Sequence, residues 1–104
     1  MDDKGFLKDL LYEFIHDMPA QLTTLRADIE KRDLEALRQD AHRLKGSSRT
    51  ITANAMADVA YALEMMGKND DLSGAESALK RLKGEMDRLK DFVENHGWDQ
   101  SDAG

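Results

Sequence analysis

At 104 residues and with no cysteine, the chain has room for one domain with a modest core, and none for a disulfide framework or a thiolate metal site. Its net charge of −6 excludes a general nucleic-acid binder, which needs a cationic face, and no apolar run approaches the length of a membrane span or the core of a signal peptide. Charged residues at 35%, aromatics at 6% and a single proline point to an all-α fold, and the lack of cysteine fits a cytoplasmic location.

The first amphipathic segment runs from Asp2 to His16, with Phe6/Leu7, Leu10/Leu11 and Phe14/Ile15 marking one face every three to four residues. Asp17-Met18-Pro19 reads as a break, because proline fits the first turn of a new helix, where its missing N–H is no loss. Leu22, Leu25 and Ile29 line a second helix that fades at Lys31-Arg32. Asp33 is a good N-cap for a third, whose stripe is Leu34, Leu37, Ala41, Leu44, Ser48 and Ile51. β-Branched Ile51 and Thr52 weaken its end, and Asn54 is placed to cap a fourth helix with Met56, Val59/Ala60, Leu63 and Met66/Gly67 facing inward. Gly67-Lys68-Asn69-Asp70-Asp71 is the clearest turn.

The last helix carries Leu72, Ala75, Leu79, Leu82, Met86, Leu89 and Val93 as one long seam and stops at Asn95-His96-Gly97. Trp98 is expected to cover an end of the bundle. The expectation is five helices, four of them long enough to bundle, joined by loops short enough to make consecutive helices antiparallel neighbours. Residues 1–98 form the domain and 99–104 a disordered tail. A self-contained bundle of this kind favours a monomer.

One stretch breaks the local rules. Within Asp40-Ala41-His42-Arg43-Leu44-Lys45-Gly46-Ser47-Ser48-Arg49, Gly46 sits inside a helix at a cost of roughly 1 kcal/mol relative to alanine. His42 lies about 100° round from Ala41, at the edge of the buried stripe and facing water. Arg38 stands one turn before it, Lys45 and Gly46 one turn after it, and Arg49 a turn beyond. From Asp33 to Asn54 four bases oppose three acids, so this helix is at +1 in a chain otherwise at −7. An exposed imidazole among cations, beside a position with no side chain, suits a histidine that another macromolecule reaches and that then holds an anion.

The third and fourth helices form a hairpin centred near Ala53. His42 and Glu64 each lie eleven residues from that centre, and Arg38 and Lys68 each fifteen, so the members of each pair fall at the same level. Glu64 is thereby placed to accept a hydrogen bond from one ring nitrogen of His42, fixing the tautomer and leaving the other nitrogen as a nucleophile. Metal binding finds little support, since His16, His42 and His96 are far apart and show no zinc-ligand spacing.

Ala41-His42-Arg43-Leu44-Lys45-Gly46-Ser47-Ser48, with Ala53, Leu63 and Glu64 following, resembles the signature of histidine-containing phosphotransfer (HPt) domains, and the resemblance spans about Phe6 to Trp98. It implies an antiparallel four-helix bundle with an additional short N-terminal helix. By the same resemblance, His42 would accept a phosphoryl group from an aspartyl phosphate on a response-regulator receiver domain and pass it to another receiver. Lys45 would stabilise the phosphoryl group, and Gly46 would leave clearance for the receiver, with Arg38, Arg49 and Lys68 around the docking face. The family commonly has a glycine before the alanine that follows the serine pair, where this chain has Thr52 before Ala53.

No glycine-rich ATP-binding region is present, so the expectation is a phosphorelay intermediate without kinase activity or a cofactor of its own, the partner receiver bringing Mg²⁺. The partners implied are receiver domains and a hybrid histidine kinase, with no nucleic acid and no membrane. Receiver docking also wants an apolar patch, and part of the face formed by Phe6, Leu7, Leu10, Leu11 and Phe14 is expected to lie exposed near His42. The competing expectation is a helical adaptor that binds proteins without being phosphorylated.

Overall fold

The computed structural model describes residues 3–97, and among these it is all-helical with no strand. Trp98 and the expected tail at 99–104 lie outside the described residues. Four helices, α1 (Asp3–Glu30), α2 (Leu34–Thr50), α3 (Asn54–Asn69) and α4 (Ala75–Phe92), are followed by a short π-helical turn at Val93–Gly97. Each helix packs against two others in a ring: α1 on α2 and α4, α3 on α2 and α4. Leu25, Leu37, Leu44, Met56, Leu63, Leu79 and Leu82 fill the space between them.

The break expected at Asp17-Met18-Pro19 does not occur. No separate N-terminal helix precedes the bundle; α1 runs through Pro19 as one helix of 28 residues. The reason is tertiary. Leu11, Phe14, Met18 and Leu25 fall on one face on both sides of the proline and are buried, while Pro19 itself is exposed. Burying side chains of this size gains roughly 1.5–3 kcal/mol each, enough to outweigh the roughly 3 kcal/mol that an interior proline costs.

The other boundaries follow the caps. Asp33 accepts the Ala36 N–H at 3.1 Å and starts α2 as expected. At α3, Ala53 occupies the N-cap position without a side-chain bond, and Asn54 is the first helical residue rather than the cap. The turn expected from Gly67 begins three residues later: Gly67 is inside α3, and Asp70 closes the helix in the left-handed conformation at φ 57°. Between α2 and α3, Thr52 takes φ 58°, a conformation that glycine adopts freely and a β-branched residue resists. A threonine in place of glycine therefore makes this turn more costly. The Ala53 N–H still bonds the Ser48 carbonyl at 2.8 Å.

Gly67 sets the spacing of α2 and α3. A Cβ there would lie 2.7 Å from the Leu34 carbonyl oxygen and 2.9 Å from the Arg38 nitrogen, both of them backbone atoms with no freedom to swing away. The Gly67→Ala variant is therefore expected to lose about 1–3 kcal/mol despite alanine's better helix propensity, read as a lower denaturant midpoint. An unchanged or raised midpoint would show that the two helices can separate without cost.

A second feature of the packing is a pair of carboxyl groups. Asp28 of α1 is only 9% exposed and faces Asp40 of α2. Burial, then the bond to Asp40 and the charges of Asp40 and Asp33, push the Asp28 carboxyl from 3.8 up to about 7, with Lys31 opposing. The folded domain thus holds a proton between pH 4 and 7 that the unfolded chain releases, and stability falls as pH rises through that window. Asp28→Asn removes the titration. Relative to this variant, wild type is expected to lose on the order of 2–4 kcal/mol between pH 4 and 8. Parallel stability–pH curves for the two proteins would contradict this.

Candidate functional site

The site is built across α2 and α3. Leu37, Ala41, Leu44 and Ser48 are buried, which turns His42 outward, its side chain 64% exposed. On α3, buried Val59, Ala60 and Leu63 fix the rotation that brings Glu64 up to α2. The two meet as the count from Ala53 anticipates: His42 Nδ1 lies 3.0 Å from Glu64 Oε2. A carboxylate only accepts, so Nδ1 carries the proton and donates it, while Nε2 keeps its lone pair.

Glu64 also holds a second partner. Its Oε1 lies 2.8 Å from Lys45 Nζ, and these two side chains are 15% and 13% exposed. The Lys45 ammonium stands 5.0 Å from the centroid of the Tyr61 ring. Burial alone would raise the Glu64 carboxyl, but the bonds from Lys45 and His42, with their charges, offset it and hold the group below its usual range. The carboxylate is therefore ionised at neutral pH and bridges the imidazole and the lysine.

The remaining cations are arranged differently from one another. Arg38 grips Glu35 on its own helix at 2.6 and 3.1 Å, and Arg43 pairs with Asp40 at 3.1 Å. Arg49 and Lys68 are exposed and form no ion pair among the described residues. Gly46 is exposed, and a Cβ built on it meets nothing within 4 Å. The structure thus joins His42, Lys45 and Glu64 in one constellation; Arg38, bonded to Glu35, also feels the charge of Glu64, while Arg49 and Lys68 are not joined to it.

Tyr61 was not singled out from the sequence, and Gly67 was expected to face inward and open a turn, not to be a close approach between backbones. Tyr61 stands three residues before Glu64 and Gly67 three after it, so the helical line through Glu64 held the signal for both. Of the expected apolar face, Phe6 and Leu7 are exposed, whereas Leu11 and Phe14 are buried. The exposed part borders a groove of Leu7, Leu11, Ile51, Ala53, Leu89 and Phe92, at the end of α2 rather than beside His42. The eight-residue separation of His42 and Thr50 corresponds to about 12 Å of helix.

The arrangement is an outward histidine on one helix of a four-helix fold, its inner nitrogen held by a carboxylate of the next helix. The family model of the Hpt domain matches residues 9–92, and the chain belongs to the Hpt domain family. It is similar to the phosphorelay intermediate protein rdeA of Dictyostelium discoideum, 34% identical over 103 residues, a match covering 95% of this chain and 40% of that protein. The chain thus spans about 40% of the length of this curated relative. No solved structure gives a significant match. Among the described residues, no helix is long and apolar enough to cross a membrane.

Proposed function

We propose that this chain is a phosphorelay phosphocarrier, an antiparallel four-helix bundle that accepts a phosphoryl group on His42 from a receiver-domain aspartyl phosphate and passes it to another receiver. The observation that carries this reading is the 3.0 Å bond from Nδ1 to Glu64, which leaves Nε2 as an exposed nucleophile. In the forward step the Nε2 lone pair attacks phosphorus as the bond from phosphorus to the aspartyl oxygen breaks. That electron pair returns to the receiver's carboxylate, and the proton on Nδ1 stays between the ring and Glu64. Onward transfer is the same exchange in reverse, with a second carboxylate as nucleophile.

Lys45 supplies the cation for the phosphoryl dianion, worth about 1 kcal/mol in water and about 4 at a partly desolvated site if it approaches to about 4 Å. The receiver brings Mg²⁺ and aligns the leaving oxygen. The domain then works as a cytoplasmic monomer with receiver domains and a hybrid histidine kinase as partners, with no cofactor and no ATP-dependent kinase activity of its own.

The test is transfer of labelled phosphate from a panel of charged receiver domains, followed by peptide mapping. Acid-labile, base-stable label in the segment between Arg38 and Arg43 supports the reading. Receiver binding with no label on the chain would instead make it an adaptor.

Gly46 gives a second check. Filling an exposed helical position that meets nothing should raise stability by about 0.5–1 kcal/mol in Gly46→Ala. A larger side chain, in Gly46→Gln, would stand in the path of a docking receiver. Transfer is expected to slow about 5- to 150-fold, from a contact cost of about 1–3 kcal/mol, with folding intact. Wild-type transfer in this variant would mean that the gap at Gly46 serves no docking partner.

A further inference from the structure

We propose that Tyr61 is a positioning residue for phosphoryl transfer, acting through Lys45; the inference rests on the reading of His42 as the phosphoryl acceptor. The Lys45 side chain is 13% exposed although Tyr61 itself is 48% exposed, so the lysine is held and covered where the tyrosine is free to be changed. Two contacts hold the ammonium: Glu64 Oε1 at 2.8 Å and the face of the Tyr61 ring at 5.0 Å from its centroid.

The chemistry of the second contact matters. A second carboxylate would hold the lysine as firmly, but it would repel an incoming phosphoryl dianion. An aromatic face attracts the cation through its quadrupole and carries no net charge. The ammonium has three N–H donors and is ion-paired only with Glu64 among the described residues, so donors remain for the phosphoryl oxygens. Without the ring, a flexible four-carbon stem is held by a single ion pair and samples solvent, and the cation is less often in place when the phosphoryl group arrives.

The experiment is a double-mutant cycle on the rate of transfer from a charged receiver and on the lifetime of the phosphorylated domain. Four proteins are compared, wild type, Tyr61→Leu, Lys45→Met and the double variant, together with Tyr61→Phe. Tyr61→Leu is expected to slow transfer and shorten the lifetime about fivefold, equivalent to about 1 kcal/mol. It should have no further effect in the Lys45→Met background, and Tyr61→Phe should recover most of the rate, because the ring is what acts.

Ring-current shifts at the end of the Lys45 side chain, read by NMR on the unphosphorylated domain, should vanish in Tyr61→Leu and persist in Tyr61→Phe. An unchanged rate in Tyr61→Leu, or an equal loss with and without Lys45, overturns the role of Tyr61 while His42 remains the acceptor. A wild-type domain that takes up no label overturns both, and the NMR shifts would then report only a resting contact.

Discussion

With His42→Gln, uptake of label from a charged receiver is expected to fall below detection while the domain stays folded and keeps its affinity for the receiver. The side chain is 64% exposed, and substitutions at such positions change stability by about 0.5 kcal/mol or less. The glutamine amide can still donate to Glu64, so the bridge to Lys45 keeps both its ends. It has no ring nitrogen with a free lone pair, and its amide nitrogen is not a nucleophile. The loss is therefore chemical rather than structural. Thermal midpoints, receiver affinity and label uptake on the two proteins check all three parts. Label retained at the wild-type level would place the acceptor on another residue.

Removing Glu64 should have the next largest effect, because one carboxylate serves two partners. In Glu64→Ala, Nδ1 of His42 loses its acceptor, both tautomers populate, and the ring is free to turn. Loss of orientation at a reacting nitrogen costs on the order of 10- to 100-fold in transfer rate. Lys45, largely covered and 2.8 Å from Glu64, is also left without its counter-charge, for a further loss of about 2 kcal/mol in stability. Glu64→Gln separates the two roles. His42 and Lys45 meet different oxygens of Glu64, so in the amide one of them faces an NH2 group that cannot accept, and the variant should fall between alanine and wild type.

The pH dependence has a definite sign. Glu64 is held below its usual value of 4.5, so its contribution is complete above that pH and disappears as pH falls through the lowered value. Single-turnover kinetics with denaturant titrations on the three proteins would settle the order. Wild-type transfer by Glu64→Ala would show that the bridge is incidental.

Much of the site was legible because it depends on counting. Helical period turns His42 away from the stripe containing Ala41 and Leu44, and equal distance from Ala53 sets it level with Glu64; neither needs anything beyond the α2–α3 hairpin. What the residues left open depends on more distant parts of the chain. Pro19 is a local stop signal, overridden by Phe14, Met18 and Leu25 packing on the core from both sides of it. Gly67 looks like a turn residue until α2 is placed against it, and then it is a close approach between backbones. That Arg38 is committed to Glu35, and Lys45 to Glu64, follows from rotamers and from rotation about the helix axis, which spacing does not determine. Thr52 shows a third case. Its side chain argues against a left-handed turn, yet the short α2–α3 connection takes one at φ 58°.

The α2–α3 pair is fixed at both ends, by the tight turn at Thr52 and by the backbone contact at Gly67. Between these points His42, Glu64 and Lys45 are already ordered before any encounter. Association ordinarily costs about 0.5–1.5 kcal/mol for each side chain it immobilises. A carrier built in this way has little of that entropy left to lose, and the burden of adjustment passes to whatever docks on it. On the proposed reading, it also presents the same rigid template to a phosphoryl donor and to a phosphoryl acceptor. Discrimination between donor and acceptor would then reside in the loops of the two partners, and the carrier's face could change little without affecting both exchanges at once.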